Sequence, residues 1–83
     1  MSVQTSKEIQ QWLIAYLSRE LEIKPENVFI DENFVNFGLT SRQAIALTGD
    51  LEEFLGRPVD PAIAWEYPTI RRLADCLGKS QTA

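Results

Sequence analysis

The sequence predicts an all-α fold, a four-helix bundle with three main helices and one short helix. Apolar residues recur at intervals of three and four positions in three separate stretches. No stretch shows the sustained alternation of apolar and polar residues that indicates a half-buried strand. Glycine, proline and hydroxyl residues also stand where these helices would begin and end. The 83 residues suffice for one small domain with a single core.

The first helix is predicted to begin at Thr5 or Ser6, because Thr5 and Glu8 have the spacing of a capping box. Its apolar stripe consists of Ile9, Leu13, Tyr16 or Leu17, and Leu21, widened by Trp12 and Ile14. The helix must end before Pro25, because the residue preceding a proline disfavours helical geometry.

A long connection of irregular spacing, residues 24–40, follows the first helix. Loops of this length without regular structure are usually functional or are anchored by inserted side chains. We expect Ile30, Phe34 and Leu39 to be the anchors. Gly38 gives the backbone conformational freedom just before the second helix.

The second helix is predicted over residues 41–55, with Gly56 as its terminator and Pro58 preventing continuation. Its core face consists of Ala44, Leu47, Leu51, Phe54 and Leu55. The opposite face consists of Arg42, Ile45, Gly49, Glu52 and Glu53. An exposed apolar residue and an acidic pair make this opposite face a candidate docking surface. Gly49 costs the helix about 1 kcal/mol relative to alanine, which the close approach of a partner would offset or the helix simply tolerates.

Two further helices are predicted after Pro58. Residues 59–65 contain one short helical turn, with Pro61 suited to its first turn. The last helix is capped by Thr69 and terminated by Gly78. Its apolar positions are Ile70, Leu73, Ala74 and Leu77. The side chains expected to pack inside the domain are Trp12, Trp65, Tyr67 and Cys76.

The composition excludes several classes of function. Histidine is absent and Cys76 is the single cysteine, so neither a self-activated nucleophile nor a Cys/His metal site is expected. The net charge of −4 argues against nucleic acid as a partner. No apolar run approaches the roughly 20 residues of a membrane span, and no signal sequence precedes the first helix. We therefore expect a cytoplasmic, monomeric, non-catalytic domain over residues 5–78, with disordered ends at residues 1–4 and 79–83.

Ser41 stands at the start of the second helix, in the most acidic part of the chain. Residues 31–66 carry seven acids and two bases, net −5, against −1 for residues 1–30 and +2 for residues 67–83. A serine at this position either caps the helix or is an attachment point for a phosphodiester, whose charge the helix N-terminus would favour. The residues around it leave both interpretations open.

Four blocks of sequence resemble the acyl carrier proteins of the phosphopantetheine-binding class. They are Trp12-Leu13, Phe34 with Phe37 to Ser41, Leu51 to Gly56, and Glu66 to Ile70 with Leu73-Ala74. The last block is typical of polyketide-synthase carriers. The resemblance implies that a phosphopantetheinyl transferase modifies Ser41 using coenzyme A. The attached 4′-phosphopantetheine arm would then hold acyl groups as thioesters and present them to partner enzymes.

Two residues depart from the pattern of that family. Its members commonly have Asp before the serine and Leu or Met after it, whereas this chain has Thr40 and Arg42. The variation resembles carriers loaded by fatty acyl-AMP ligases in hybrid polyketide/peptide pathways. It implies as partners a loading enzyme, either such a ligase or an acyltransferase, and a ketosynthase or other downstream synthase domain. The predicted docking residues are Thr40, Arg42, Ile45, Gly49, Glu52 and Glu53.

Two alternatives remain open. Because Thr40 and Arg42 replace the usual neighbours, the chain could keep the carrier shape as an interaction module whose Ser41 stays bare. It could also carry aminoacyl or peptidyl cargo, which differs only in the loading enzyme. The block from Glu66 to Thr69 disfavours this second alternative.

Overall fold

The computed structural model describes residues 4–78, which form four α-helices and two short 3₁₀ turns. The helices are α1 (Ser6–Leu21), α2 (Ser41–Leu55), α3 (Ile63–Glu66) and α4 (Ile70–Gly78). The 3₁₀ turns, Pro25–Asn27 and Phe34–Phe37, lie in the connection between α1 and α2. Within residues 4–78 there is no strand, only an isolated bridge between Asn33 and Thr69. The predicted all-α fold of three main helices and one short helix is confirmed.

The capping box at the start of α1 forms as predicted. The Thr5 hydroxyl accepts a hydrogen bond from the Glu8 N–H at 3.1 Å, and the Glu8 carboxylate accepts one from the Thr5 N–H at 2.9 Å. The helix ends at Leu21, because Glu22 adopts a left-handed conformation with φ of 57°. Its N–H still reaches the Ser18 carbonyl, which satisfies a carbonyl of the last turn.

One core joins α1, α2, α4 and the long connection. Its fully buried members include Ile9, Leu13 and Leu17 of α1, Leu47 and Leu51 of α2, and Ile70, Leu73 and Ala74 of α4. Phe54 and Leu55, predicted for the core face of α2, are half-buried and pack against this core. Thr48 is buried although it was not predicted to be, and its hydroxyl donates to the Ile45 carbonyl at 2.8 Å. A threonine can be buried in a helix in this way because its hydroxyl finds a partner in the preceding turn.

The backbones of α1 and α4 meet at Gly78. A Cβ on this residue would lie 2.6 Å from the Ser6 nitrogen and 2.8 Å from the Ser6 Cα. Gly78 was predicted to terminate the last helix, but it is itself the last described residue of α4. Its lack of a side chain therefore permits the close approach of two backbones. We call the packing of α1 against α4 the α1–α4 seam.

The connection between α1 and α2 is anchored as predicted, with one addition. Phe34 and Leu39 are buried, and Ile30 is half-buried against the core. Val28 is a further buried anchor that was not singled out from the sequence. Its position directly after the Pro25–Asn27 turn directs it inward, and irregular spacing gives no periodicity from which to predict it.

The same connection is tied to the start of α4 by main-chain hydrogen bonds. The Phe34 N–H donates to the Pro68 carbonyl at 2.8 Å, and the Arg71 N–H donates to the Ile30 carbonyl at 3.0 Å. On the surface, Arg71 forms a bidentate ion pair with Asp31 at 2.6 and 3.0 Å. These contacts fix the path of the chain before it enters α2.

The third helix differs from prediction in extent and packing. It begins at Ile63, after a turn in which the Asp60 carboxylate accepts the Ala62 N–H at 2.9 Å, so Pro61 precedes the helix. With only four residues, α3 buries Ala64 fully. Trp65 is 49% exposed, so the prediction that it packs inside the domain was wrong.

Two other packing predictions also need correction. Tyr67 is 37% exposed, and Cys76 is half-buried and not fully buried. The thiol lies close to the Tyr67 hydroxyl, and this contact raises the pKa of Tyr67 above its usual value. The N-cap of α4 agrees with prediction, because the Thr69 hydroxyl accepts the Arg72 N–H at 3.1 Å.

The predicted disordered ends, residues 1–4 and 79–83, fall outside the described residues except at Gln4. The Gln4 side-chain amide donates to the Phe54 carbonyl at 3.2 Å. This bond links the residue before the α1 cap to the last turn of α2. None of the described helices is both long enough and apolar enough to cross a membrane.

Candidate attachment site

Thr40 caps α2, and Ser41 is the first residue inside the helix. The Thr40 hydroxyl accepts the Gln43 N–H at 3.1 Å, and the Gln43 side chain accepts the Thr40 N–H at 3.0 Å. The interpretation of Ser41 as the cap is therefore wrong. Thr40-Ser41-Arg42-Gln43 has the hydroxyl-x-x-Gln spacing of a capping box, so the sequence did contain the signal.

The Ser41 hydroxyl has no structural task in the part of the chain that is described. Ser41 is exposed, and none of the hydrogen bonds within residues 4–78 uses its side chain. The capping box pairs the Gln43 N–H, and the N–H groups of Ser41 and Arg42 point out of the first turn. A helix N-terminus of this kind favours a phosphate attached to the serine.

The approach to Ser41 is set by the two residues that precede Thr40. Gly38 has a φ of 85°, a left-handed conformation that glycine adopts without strain. Leu39 then turns its side chain into the core and is 8% exposed. The chain thus enters α2 from a fixed point, with Ser41 outside and Leu39 inside.

The outer face of α2 is open. Ile45 lies one turn after Ser41 and is 56% exposed. Gly49 lies one turn further, and a Cβ there would meet no atom within 4 Å. Glu53 follows on the same side and is also exposed. We call Ser41, Ile45, Gly49 and Glu53, with the exposed Arg42 beside them, the outer face of α2.

The two residues of the predicted acidic pair, Glu52 and Glu53, differ in burial and in hydrogen bonding. Glu52 is half-buried, and its carboxylate accepts the Val59 N–H at 3.1 Å. Glu53 is exposed and makes no such bond within the described residues. The charge available to a partner on this turn therefore belongs to Glu53. The first turn of α2 contains no acidic residue, so Arg42 is the charged group nearest Ser41 along the helix.

An open groove between α1 and α2 borders the outer face. It is lined by Trp12, Tyr16, Arg19, Asp50, Glu53 and Phe54. The Trp12 ring stacks on both Tyr16, with centroids 5.1 Å apart, and Phe54, with centroids 5.2 Å apart. Trp12 was predicted to pack between helices, and this is confirmed. The groove itself was not predicted, because its residues come from separate helices whose relative placement periodicity does not give.

The ionisable groups of the groove influence one another. Burial of Tyr16 raises the pKa of its hydroxyl to about 12, and the neighbouring Asp50 carboxylate acts in the same direction. The Arg19 guanidinium lies 5.9 Å from the centre of the Tyr16 ring, a cation–π arrangement. Tyr16 therefore stays neutral near pH 7, and the charges of the groove belong to Arg19, Asp50 and Glu53.

Among residues 4–78, no cluster of three acidic, cysteine or histidine side chains could hold a metal ion. Every buried side-chain nitrogen or oxygen in that range has a hydrogen-bond partner. The exposed Ser41 hydroxyl remains the candidate attachment point.

The family model described as "Phosphopantetheine attachment site" matches residues 11–77. The chain belongs to this family. It is a non-catalytic acyl carrier domain, and the group that the family carries is covalent 4′-phosphopantetheine. The expected resemblance to acyl carrier proteins is confirmed.

The relatives include carrier regions of polyketide synthases. A phenolphthiocerol/phthiocerol polyketide synthase polypeptide of Mycobacterium tuberculosis is 40% identical over 73 residues, which cover 88% of this chain. The matched segment is 4% of that synthase polypeptide. The chain therefore corresponds to a single carrier region of that much longer protein, of the type used in polyketide synthesis.

Solved carrier proteins share the fold over nearly the whole chain. A free-standing peptidyl carrier protein from a secondary metabolic pathway of Acinetobacter baumannii has a TM-score of 0.85 and 29% identity, covering 95% of this chain and 98% of its own. The acyl carrier protein Asl1650 from Anabaena sp. PCC 7120 has a TM-score of 0.86 and 35% identity, covering 96% and 91%. The latter is described as having a variant phosphopantetheinylation-site sequence.

Proposed function

We propose that Ser41 carries 4′-phosphopantetheine and that the chain holds acyl intermediates on it as thioesters in polyketide or hybrid polyketide/peptide biosynthesis. The observation that supports this most is that two neighbouring hydroxyl residues, Thr40 and Ser41, differ in their contacts. Thr40 caps α2, so the exposed Ser41 hydroxyl is available for modification without loss of the cap.

The residues around Ser41 fit a covalently attached phosphodiester. The unpaired N–H groups of the first turn and the positive end of the helix dipole favour its negative charge. Arg42 adds a further positive charge beside it. When bound, the arm supplies the thiol that forms the thioester. The protein supplies the attachment point and the surface that partners recognise.

Modification by a phosphopantetheinyl transferase with coenzyme A tests the attachment site directly. The intact mass of the protein should rise by one phosphopantetheine, and proteolytic fragments should place the added mass on Ser41. Ser41→Ala should show no increase while keeping the same helical content by circular dichroism. Thr40→Ala is the matched control, because it removes the adjacent hydroxyl and should still be modified. An unchanged wild-type mass with several competent transferases would refute the proposal.

We further propose that the cargo is a fatty acyl group delivered from an acyl-adenylate by an acyl-AMP ligase. The support is the pair Thr40 and Arg42, which replaces the neighbours common in the family. Asl1650, which is similar in structure and sequence, also has a variant site. Incubation of the modified protein with a fatty acyl-AMP ligase, ATP and a fatty acid should add the acyl mass. Loading only by an acyltransferase with acyl-coenzyme A would contradict this assignment.

The outer face of α2 is the proposed docking surface for the loading enzyme and the downstream synthase domain. Ile45 offers apolar area, Gly49 allows close approach, and Glu53 offers an exposed carboxylate that pairs with no residue between positions 4 and 78. At low salt, Glu53→Lys should slow loading about two- to fivefold. Glu26→Lys, an equal charge change in the Pro25–Asn27 turn, is the control. Equal rates for both variants and the wild type would exclude a docking role for Glu53.

A peptidyl carrier is the second candidate, because the Acinetobacter baumannii carrier matches this chain over almost its entire length. The two functions differ in the loading enzyme. Offering the modified protein a panel of amino acids with adenylation domains, and fatty acids with acyl-AMP ligases, separates them by the mass that is added. A protein partner that binds Ser41→Ala as well as wild type, with no added mass on either, would instead favour an unmodified interaction module.

A further inference from the structure

We propose that Arg42 and the open first turn of α2 hold the phosphodiester of the arm, so that attachment at Ser41 stabilises the folded protein. This inference rests on the proposed function, because it concerns the group that Ser41 would carry. It gives Arg42 a role within the modified domain itself, as the residue that positions the base of the arm against α2.

The two longest helices, α1 and α2, begin with the same pattern of residues. Residues 5–8 are Thr-Ser-Lys-Glu, and residues 40–43 are Thr-Ser-Arg-Gln. In both helices the threonine closes a complete capping box, and the serine is the first helical residue. A cation occupies the second helical position each time. The start of α1 therefore shows how this protein accommodates a cation at the positive end of a helix.

Acidic groups compensate the first turn of α1. Lys7 is followed directly by Glu8, whose carboxylate also accepts the N–H of the capping residue. The Ser6 hydroxyl donates to the Asp75 carboxylate at 2.6 Å, which places a second anion at the start of the helix. Negative charge is favourable there, because it meets the unpaired N–H groups and the positive end of the helix dipole.

The first turn of α2 has no such compensation within residues 4–78. It contains no acidic residue, since Gln43 stands where α1 has a glutamate. Arg42 is exposed and forms no ion pair in this range, where the single ion pair joins Arg71 to Asp31. An unbalanced cation at a helix N-terminus is unfavourable. An anion bound at the start of α2 would therefore remove an unfavourable interaction from the unmodified protein.

A phosphodiester on Ser41 would be an anion at the position that Asp75 occupies in α1. There the carboxylate is hydrogen-bonded to the Ser6 hydroxyl, and on α2 the phosphate would be bonded to the equivalent oxygen. Neighbouring Cα atoms are about 3.8 Å apart, so Arg42 can bring its charge within one Debye length, about 10 Å at 0.1 M salt. Adjacent helical side chains do not face each other, so the attraction acts by charge and needs no fixed bidentate pair.

Thermal unfolding of the unmodified and the phosphopantetheinylated protein tests the inference. At about 20 mM salt, modification of the wild type should raise Tm by about 2 to 6 °C. Arg42→Gln should raise the Tm of the unmodified protein, because a cation leaves the positive end of the helix. It should also reduce the gain in Tm on modification by about half. In about 0.5 M salt, the difference between the two gains should shrink.

Lys7→Gln is the matched control, since it removes the cation from the equivalent position of α1. Its gain in Tm on modification should equal that of the wild type. The Nε–H signal of Arg42 in ¹H–¹⁵N NMR gives a direct readout. It should shift on modification, while the corresponding signal of Arg71 stays unchanged.

Several results would overturn the inference while the added mass at Ser41 still upholds the proposed function. One is an unchanged Tm after modification, and another is the same gain for the wild type and Arg42→Gln. Slower modification or loading of Arg42→Gln, with an unchanged gain in Tm, would assign Arg42 to contact with a partner enzyme instead. Absence of the added mass would refute the proposed function and this inference together.

Discussion

The α1–α4 seam and the outer face of α2 place glycine in opposite surroundings. At Gly78 in the seam, an added Cβ would lie 2.6 Å from a backbone nitrogen of α1. At Gly49 on the outer face, an added Cβ would meet nothing within 4 Å. The first glycine is required by packing inside the domain. No described residue requires the second, so its cost to the helix is offset by a partner or simply tolerated.

The largest expected contrast is between apolar residues of the two regions. Leu13 of α1, the helix that packs against α4 in the seam, is fully buried in the core, and Leu13→Ala should lower the free energy of unfolding by about 2 to 5 kcal/mol. Ile45 on the outer face is 56% exposed, and Ile45→Ala should change it by less than about 0.5 kcal/mol. Urea unfolding followed by circular dichroism measures both. A large loss for Ile45→Ala would mean that the outer face supports the fold.

The two glycines test the comparison most directly. Gly78→Ala should lower the free energy of unfolding by about 1 to 3 kcal/mol, because the neighbouring atoms are backbone and cannot rotate away. Gly49→Ala should raise it by about 0.5 to 1 kcal/mol. The rate at which a loading enzyme acylates the modified protein should be measured for the same two variants. Slower acylation of Gly49→Ala than of the wild type would show that a partner approaches this position. If both substitutions changed the free energy of unfolding by the same amount and in the same direction, the contrast between the two glycines would be refuted.

At the start of α2, adjacent substitutions should separate capping from attachment. Thr40→Ala removes the hydroxyl that accepts the Gln43 N–H and should cost about 1 kcal/mol of stability. Ser41→Ala should leave stability nearly unchanged, since its hydroxyl bonds to nothing in the described chain. Thermal or urea unfolding of the two variants decides between them. A greater loss for Ser41→Ala would restore the serine as the cap.

The smallest effect concerns the ion pair that ties the long connection to α4. The Arg71 guanidinium holds the pKa of Asp31 below its usual 3.8. The unfolded chain therefore takes up this proton at higher pH than the folded chain does. The stabilisation is present above pH 3.8 and is lost as the pH falls through the lowered folded value.

Comparison of Asp31→Asn with wild type in urea at about pH 6 and about pH 3 measures this contribution. The small difference in stability at the higher pH should diminish at the lower one, because both residues are exposed and solvent screens the pair. Glu26→Gln, an exposed acid outside this pair, is the control. A difference that persists unchanged in acid would show that the side chain acts by means other than its charge.

The helices could be predicted from sequence because their signals are local. The Thr5 capping box, the Gly56 terminator of α2 and the Thr69 cap each depend on residues within one turn. Packing of α3 could not be predicted in the same way. A helix of four residues has no periodicity, and so the exposure of Trp65 depends on how α3 meets the rest of the domain.

The site was predictable only in part, for similar reasons. Thr40 and Ser41 are both suitable caps by residue type, and the position of Gln43 decides between them. Glu52 and Glu53 look equivalent in sequence, but in the structure the Glu52 carboxylate accepts a hydrogen bond from the Val59 N–H. The groove around Trp12 combines two helices that are distant in sequence, so no local pattern could reveal it.

The contact of Gly78 with Ser6 places the start of α1 beside the last described residue of α4. Segments fused at these two points would therefore be joined to the domain at neighbouring positions on its surface. Tension applied through two such segments would therefore act directly on the α1–α4 seam.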